Sequence, residues 1–98
     1  MNSGYIYLIS YNGAVKIGSA IDYKKRLEQN FKKYNGAEFI HCYMVDNYQD
    51  VELKLHDIFN DKRFSKNAEW FGLNHKDIIK LCFIMRDKFN SIDIWDLN

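Results

Sequence analysis

The sequence predicts an α+β domain in which a small three-stranded antiparallel sheet, formed by an N-terminal β-hairpin and one further strand, is flanked by about three helices. Two runs near the start alternate in hydropathy around a short turn, and the later run "EFIHCYMV" is typical of a strand. Three other segments carry apolar residues at helical spacing. The chain has 98 residues, 47% of them hydrophobic, so we expect one domain over residues 1–98 that buries roughly 60% of its unfolded surface.

The hairpin has the strongest local signal. Asn12 and Gly13 both tolerate positive φ and favour a two-residue turn, which fixes the register of the two strands. This register pairs Tyr7 with Gly18 and makes Lys16 a diagonal neighbour of Tyr7, roughly 7 Å away on the same face. Gly18 is expected to leave open space beside Tyr7. The apolar face of the hairpin carries Ile6, Leu8, Val15 and Ile17, and the other face carries Tyr5, Tyr7, Ile9, Tyr11, Lys16 and Gly18.

The helices are predicted from their N-terminal residues and apolar stripes. Asp22 is suited to cap a first helix over about Tyr23–Lys33. Asn47 and Asn74, each followed three residues later by an aspartate, resemble capping boxes at the start of a second helix and of a longer third helix, "HKDIIKLCFIMRDKF". The predicted buried stripes contain Tyr23, Leu27 and Phe31 in the first helix, and Val51, Leu55 and Ile58 or Phe59 in the second.

Charge is distributed unevenly along the chain. The formal net charge of +1 does not by itself indicate a nucleic-acid or membrane partner. Basic residues nevertheless predominate between positions 16 and 33, so a partner with phosphates is expected to contact the first third of the chain. These residues are Lys16, Lys24, Lys25, Arg26, Lys32 and Lys33, against Asp22 and Glu28.

The cysteines and the apolar runs exclude several classes of protein. Cys42 and Cys82 stand alone in apolar runs, which predicts reduced core thiols rather than a disulfide framework or a zinc site. No segment resembles a signal peptide and no apolar run reaches transmembrane length. We therefore expect a protein that is not secreted, has no membrane partner, and works in the cytoplasm, the nucleus or, if viral, the host cytoplasm.

A series of short motifs follows one another along the chain: "YIY", then "VKIG" after the turn, "KKRL" with Arg26, the helical "VELKLH", and "EWF" at Glu69–Phe71. Together they resemble the GIY-YIG nuclease superfamily. They look most like its virus- and phage-associated branch, in which the second motif reads Lys-Ile-Gly and a Glu-Trp-Phe element follows. The resemblance covers about residues 4–73 and leaves 74–98 as a C-terminal helix and tail. The composition, rich in Lys, Asn, Ile and Tyr, is also associated with AT-rich phage or viral genomes.

The resemblance implies a metal-dependent endonuclease that cleaves phosphodiester bonds in nucleic acid through an activated water and a single Mg²⁺ or Mn²⁺. Of the two possible substrates, we expect DNA rather than RNA. Tyr7 and Lys16 match the tyrosine positions of the first and second motifs, Arg26 the helix arginine, and Glu52 the metal-binding glutamate. Tyrosine has an ordinary pKa of about 10 and is a poor base unless a nearby cation favours the phenolate; Lys16 is placed to be that cation. Arg26 offers planar donors to a phosphate, and one carboxylate is often enough to hold Mg²⁺.

Other residues receive roles that are less specific. His56 lies four residues after Glu52, a spacing that suits a metal pair or a surface hydrogen bond, and is interpreted as an orienting or phosphate-contacting group of the catalytic set. Glu69 is the alternative metal ligand, or an anchor for its loop. The remaining predicted site residues are Lys24, Lys25, Lys32 and Lys33 for nucleic-acid binding, and Tyr5, Gly18 and Trp70 as structural motif positions.

The sequence also departs from the family pattern. Tyr5 replaces the glycine of the first motif and Lys16 replaces the tyrosine of the second. The asparagine found near the end of the site in many members has no clear counterpart, although Asn67 lies nearby. Two alternatives therefore stay open: a catalytically inactive GIY-YIG-like module that only binds nucleic acid, and a protein-interaction module. A homodimer or a larger protein partner would add to the few cations of one chain.

Overall fold

The structure, a computed structural model, describes residues 2–65 and 68–95. Its strands are β1 (Gly4–Tyr11), β2 (Ala14–Ala20), β3 (Glu38–Val45), β4 (Trp70–Phe71) and β5 (Ile92–Asp93). Its helices are α1 (Tyr23–Lys33), α2 (Tyr48–Ile58) and α3 (His75–Asp87), with a short 3₁₀ turn at Asn60–Lys62. All strands pair antiparallel in the order β4-β2-β1-β3-β5. The predicted α+β class is confirmed. The predicted number of three strands is wrong, because the two-residue strands β4 and β5 extend the described sheet to five strands.

The hairpin forms in the predicted register. Asn12 and Gly13 adopt φ values of 51° and 78°, and Tyr7 pairs with Gly18. The space at Gly18 is not open, however, because the Tyr7 ring lies directly over its Cα and would clash with any Cβ there. Glycine at this position is therefore required for the close packing of Tyr7 on β2.

The sheet separates two buried clusters. Val51 and Leu55 of α2, with Leu81 and Met85 of α3, lie in the first cluster on one face, and Leu27 of α1 lies in the second on the other face. From the three long strands, Ile6, Leu8, Val15, Ile17, Tyr43 and Val45 belong to the first cluster, and Tyr7, Ile9, Ala20 and Cys42 to the second. The predicted apolar face of the hairpin is confirmed. The opposite face lies under α1, which brings Tyr7 and Lys16 close to the basic helix.

The three predicted helix starts are confirmed, and two of the three predicted side-chain caps form. Asp22 accepts a hydrogen bond from the backbone of Lys25, and Asn74 forms a complete capping box with Asp77. The capping box predicted at Asn47 is wrong: this residue has a left-handed backbone, φ 56°, and its side chain makes no capping hydrogen bond. A turn conformation rather than a cap therefore starts α2.

The two cysteines differ in environment. Cys42 is fully buried, and burial raises the pKa of its thiol to about 12, so it is an inert core thiol as predicted. Cys82 is exposed, which contradicts its prediction as a core residue; it accepts a hydrogen bond of 2.9 Å from the Tyr43 hydroxyl. Within residues 2–65 and 68–95, no helix has the length and apolarity needed to cross a membrane.

Candidate functional site

A buried polar chain joins β1, β2 and α1. The Lys16 ammonium donates to Asn30 Oδ1 at 2.8 Å, and Asn30 Nδ2 donates to the Tyr7 hydroxyl oxygen at 3.1 Å and to the carbonyl of Arg26 at 2.8 Å. Tyr7 is completely buried and Asn30 is 4% exposed. Asn30 therefore uses both ends of its amide to connect the two residues that the hairpin register places side by side. Lys16 reaches the Tyr7 hydroxyl through Asn30.

Lys16 is held in a nearly closed environment. It is 9% exposed, which requires compensating partners for its charge. Its ammonium lies 3.8 Å from Glu69 Oε2, and 5.8 Å and 5.7 Å from the ring centroids of Tyr7 and Tyr34. Lys16 is thus a fixed cation within the fold, unlike the solvated lysine usual on a strand.

Arg26 lines two cavities beside α1. A cavity of about 180 Å³ is lined by Lys16, Arg26, Gln29, Asn30 and Lys33. A second, of about 310 Å³, is lined by Ala20, Ile21, Asp22, Lys25, Arg26 and Gln29. Arg26 is exposed and donates from Nη1 to the carbonyl of Ser19 at 3.3 Å. The first cavity is lined by three basic side chains without a carboxylate, so it suits a phosphate.

Ser19 connects this basic region to Glu52. Its hydroxyl donates to Glu52 Oε1 at 2.5 Å, while its carbonyl accepts from Arg26. Burial and the neighbouring Glu69 carboxylate raise the pKa of Glu52 from its ordinary value of 4.5 to about 7, although Ser19 and Lys16 oppose the shift. Glu52 and Glu69, which the sequence offered as alternative ligands, therefore lie beside each other.

His56 is a buried anchor. Its Nε2 lies 2.9 Å from the carbonyl of Ile17, so this nitrogen carries the hydrogen, and its Nδ1 lies 3.5 Å from the Arg63 guanidinium. Burial is the largest cause that lowers its pKa; Arg63 lowers it further, whereas the Ile17 hydrogen bond and Glu69 raise it. His56 also lies 3.6 Å from Glu52. With both ring nitrogens engaged, the arrangement supports an orienting role rather than a metal ligand.

The segment that carries Glu69 is attached at several points. Arg63 Nε donates to the carbonyl of Ala68 at 2.6 Å, and the backbone N–H of Ile17 donates to the carbonyl of Glu69 at 3.0 Å. In β4, Trp70 pairs with Lys16 of β2. Backbone pairing thus places the Glu69 carboxylate at the edge of the sheet next to Lys16.

The donor set fits a cation that needs few protein ligands. Among the described residues, no three His, Cys, Asp or Glu side chains converge as a ready metal site. Mg²⁺ is often bound through one or two carboxylates, with waters and substrate oxygens completing its shell. Glu52, with Glu69 beside it, fits that chemistry and does not fit a site made entirely of protein ligands.

The structure brings together only part of the predicted nucleic-acid-binding set. Lys25 and Lys33 line the two cavities at Arg26. Lys24 and Lys32 line a separate, mainly apolar depression elsewhere on α1, and Lys32 lies 3.2 Å from Glu28. Of the structural motif positions, Tyr5 contacts Tyr23, with ring centroids 4.5 Å apart, Gly18 lies under Tyr7, and Trp70 packs against the second buried cluster.

Sequence reasoning missed Asn30, Ser19 and Arg63. A signal for Asn30 was present, because it lies three residues after Leu27 on the buried side of α1, where a polar residue needs a partner. Ser19 and Arg63 have no such signal, since their roles depend on contacts between distant segments. Asn67, considered for the missing family asparagine, lies outside the described residues.

These features define a small α+β domain with cations and carboxylates gathered at one edge of its sheet. The chain belongs to the T5orf172 domain family, whose model matches residues 4–86. This domain is phage-associated and stands in a GIY-YIG/HNH-like nuclease context, which connects the chain to nuclease and nucleic-acid functions in general. No curated protein and no solved structure shows a significant match to the chain.

Proposed function

We propose that this chain is a GIY-YIG-type endonuclease that hydrolyses phosphodiester bonds in nucleic acid, DNA in preference to RNA, with one Mg²⁺ or Mn²⁺. The observation that carries this proposal is the link through Ser19, which contacts the cation Arg26 with its carbonyl and the carboxylate Glu52 with its hydroxyl. Phosphodiester hydrolysis needs cationic donors on the phosphate and a group for the divalent cation close to the same bond. The family and the order of the motifs support the same activity.

Binding of the phosphate is assigned to the cavity beside Arg26. The guanidinium is exposed, and it can present several N–H donors to two phosphate oxygens. Lys16 and Lys33 line the same cavity and add positive charge. Asn30 holds Lys16 in place, so the cation is positioned before the substrate arrives.

Tyr7, in its phenolate form, is the proposed acceptor of the proton from the attacking water, with Lys16 as the nearby cation that favours the phenolate. Its hydroxyl already accepts a hydrogen bond from Asn30 and has no exposed surface. The water can reach it only if the Asn30 and Lys16 side chains shift when substrate binds, as catalytic hydrogen bonds often form fully only in the substrate complex. His56 orients the neighbouring backbone of Ile17 and is assigned no proton transfer.

Glu52 is the proposed ligand for the divalent cation, with Glu69 as a second ligand. A bound cation would neutralise charge on the phosphate and on the leaving oxygen. Glu52 must be deprotonated to bind it, and since its pKa is raised to about 7, protons compete with the cation below that pH.

Incubation of the purified protein with plasmid DNA and with structured RNA tests this function. We expect strand cleavage with Mg²⁺ or Mn²⁺ and none with EDTA, with DNA cut faster than RNA. A folded protein that cuts neither substrate with either metal contradicts the proposal.

One observation favours a second candidate, a nucleic-acid-binding module without catalysis. Tyr7 is fully buried and Lys16 is tied to Asn30, so the resting arrangement exposes no nucleophile-activating group at this position. This candidate predicts salt-dependent binding without metal-dependent cleavage. A protein-interaction module predicts neither.

A further inference from the structure

Three aromatic side chains lie close together near the turn of the hairpin, where β1 and α1 end and β4 pairs with β2. The ring centroids of Tyr11 and Tyr34 lie 5.4 Å apart, those of Tyr34 and Trp70 5.0 Å, and those of Tyr11 and Trp70 6.2 Å. All three residues are partly exposed. We refer to Tyr11, Tyr34 and Trp70 as the aromatic cluster.

The aromatic cluster adjoins the cavity assigned to phosphate. Lys16 lies 5.7 Å from the Tyr34 ring centroid and Lys33 lies 5.3 Å from it. Both lysines also line the cavity beside Arg26. Trp70 pairs with Lys16 through the backbone of β4 and β2. The same two cations therefore border both the cavity and the aromatic rings.

Core packing accounts for only one of the three rings. Trp70 packs against the second buried cluster. Tyr11 and Tyr34 are not among the described residues that pack against either buried cluster. Tyr11 is the last residue of β1, next to the turn, and Tyr34 follows the last residue of α1. At these ends of the strand and the helix, the fold does not need an aromatic side chain to fill its core.

We propose that the aromatic cluster is a subsite for one unpaired nucleobase of a strand whose phosphate lies in the cavity beside Arg26. This inference rests on the proposed nucleic-acid-binding function. Positive charge for the backbone next to aromatic rings for the base is the combination that binds single strands. A base within a duplex is already stacked and paired, so the subsite favours single-stranded, frayed or mismatched nucleic acid over a continuous duplex.

Tryptophan fluorescence can detect the contact directly. The chain has two tryptophans, so Trp95→Phe leaves Trp70 as the sole reporter. Oligothymidylate, oligouridylate and an abasic deoxyoligonucleotide of equal length are titrated in EDTA, with anisotropy of labelled strands as an independent measure of binding. We expect both base-bearing strands to quench Trp70 and the abasic strand to bind without quenching it. Equal quenching by the abasic strand, or binding of oligothymidylate without quenching, overturns the inference.

Substitutions test the same subsite by affinity. Tyr34→Leu and Tyr11→Leu should each weaken oligothymidylate binding about tenfold and leave binding of the abasic strand unchanged, whereas Tyr34→Phe keeps the ring and should bind normally. Phe83→Leu removes a half-exposed aromatic ring from α3 and is the matched control. Equal loss for the base-bearing and abasic strands overturns the subsite, and thermal melting checks that each variant is folded.

The outcomes separate this inference from the proposed cleavage. Quenching of Trp70 without any metal-dependent cleavage supports the subsite and contradicts the endonuclease. Cleavage with no dependence of binding on Tyr11 or Tyr34 supports the endonuclease and overturns the subsite. Absence of binding to every strand at low salt overturns both.

Discussion

Glu52 and Glu69 are neighbours with unequal environments. The Glu52 side chain is 16% exposed and hydrogen-bonded to Ser19, whereas the Glu69 side chain is 45% exposed and lies 3.8 Å from Lys16. We predict that Glu52→Gln, which keeps shape and removes charge, lowers metal-dependent cleavage to background and leaves folding intact. Glu69→Gln should reduce the rate less. The measurement is the cleavage rate of each variant across metal concentrations, with thermal melting as the control for folding. If Glu52→Gln cleaves at the normal rate while Glu69→Gln is folded but inactive, Glu69 rather than Glu52 is the metal ligand.

The raised pKa of Glu52 also predicts how stability depends on pH. The folded-state pKa of about 7 exceeds the ordinary value of 4.5, so the unfolded chain loses this proton first as pH rises. Metal-free protein should therefore lose stability between about pH 4.5 and pH 7 through this group. The effect should be about 1 kcal/mol, reduced from the full linkage value because solvent screens a partly exposed carboxylate.

Comparison with Glu52→Gln isolates that contribution. His56 has a lowered pKa and contributes in the opposite direction, because the unfolded state binds its proton first as pH falls. The free energies of unfolding of the original chain and of Glu52→Gln are measured with denaturant in EDTA. Because both proteins contain His56, its contribution cancels when one value is subtracted from the other. A difference that does not change between pH 5 and pH 8 would show that Glu52 ionises normally in the folded state.

Lys16 gives a third prediction for a single residue. Lys16→Met should lower cleavage about 100-fold. It removes a fixed cation from the phosphate cavity, and it leaves Asn30 Oδ1 without the ammonium that donates a hydrogen bond to it. Lys32→Met is the matched control, because Lys32 is highly exposed and lies near Glu28, away from that cavity. Initial rates at saturating substrate and metal are compared. Equal rates for the two variants would make Lys16 a structural residue only.

The predictability of the site follows from the kind of contact involved. The closeness of Tyr7 and Lys16 could be predicted because a two-residue turn fixes strand register. The chain through Asn30 depends on the rotation of α1 over the sheet, which periodicity places only approximately. The position of Glu69 beside Glu52 depends on how a loop returns to β2, and hydropathy carries no information about that path.

At the scale of elements, the long strands and helices were predicted and the short edge strands were not. A two-residue strand such as β4 or β5 is too short to show alternation. β4 is nevertheless the element that brings Trp70 and Glu69 to the site, through its pairing with Val15 and Lys16. The positions of Trp70 and Glu69 in the site therefore depend on a strand that is too short to have a recognisable hydropathy pattern.

The helix starts give a prediction at the same scale. Asn74→Ala should cost about 1 kcal/mol and lower Tm by about 5 °C, because it removes the side-chain oxygen that accepts a hydrogen bond from the backbone N–H of Asp77. Asn47→Gly should change stability by less than about 0.5 kcal/mol, since Asn47 makes no side-chain cap and glycine adopts its positive φ readily. Thermal melting of both variants is the measurement. A larger loss for Asn47→Gly would mean that its side chain stabilises α2 after all.

For the molecule as a whole, the distribution of charge matters more than its sum. The net charge is +1, yet the two cavities that flank Arg26 also contain Lys16, Lys25 and Lys33. A charge of +1 provides little long-range attraction for a polyanion, so recognition depends on these local contacts. One chain offers a short electrostatic footprint of about four phosphate contacts.

That footprint predicts weak, salt-sensitive binding by the monomer. With about four phosphate contacts, the logarithm of the association constant should fall with the logarithm of salt concentration with a slope of about −4 on duplex DNA and about −3 on a single strand. Lys33→Ala should make the slope about one unit shallower, because Lys33 lines the phosphate cavity, whereas Lys32→Ala, next to Glu28, should not change it. Anisotropy titrations of the Glu52→Gln protein in EDTA, with sedimentation to establish the oligomeric state, measure these slopes. Submicromolar affinity of a proven monomer at physiological salt would mean that nucleic acid also contacts surface outside these two cavities. Tight binding that appears only in a dimer would mean that the phosphate contacts of two chains act together.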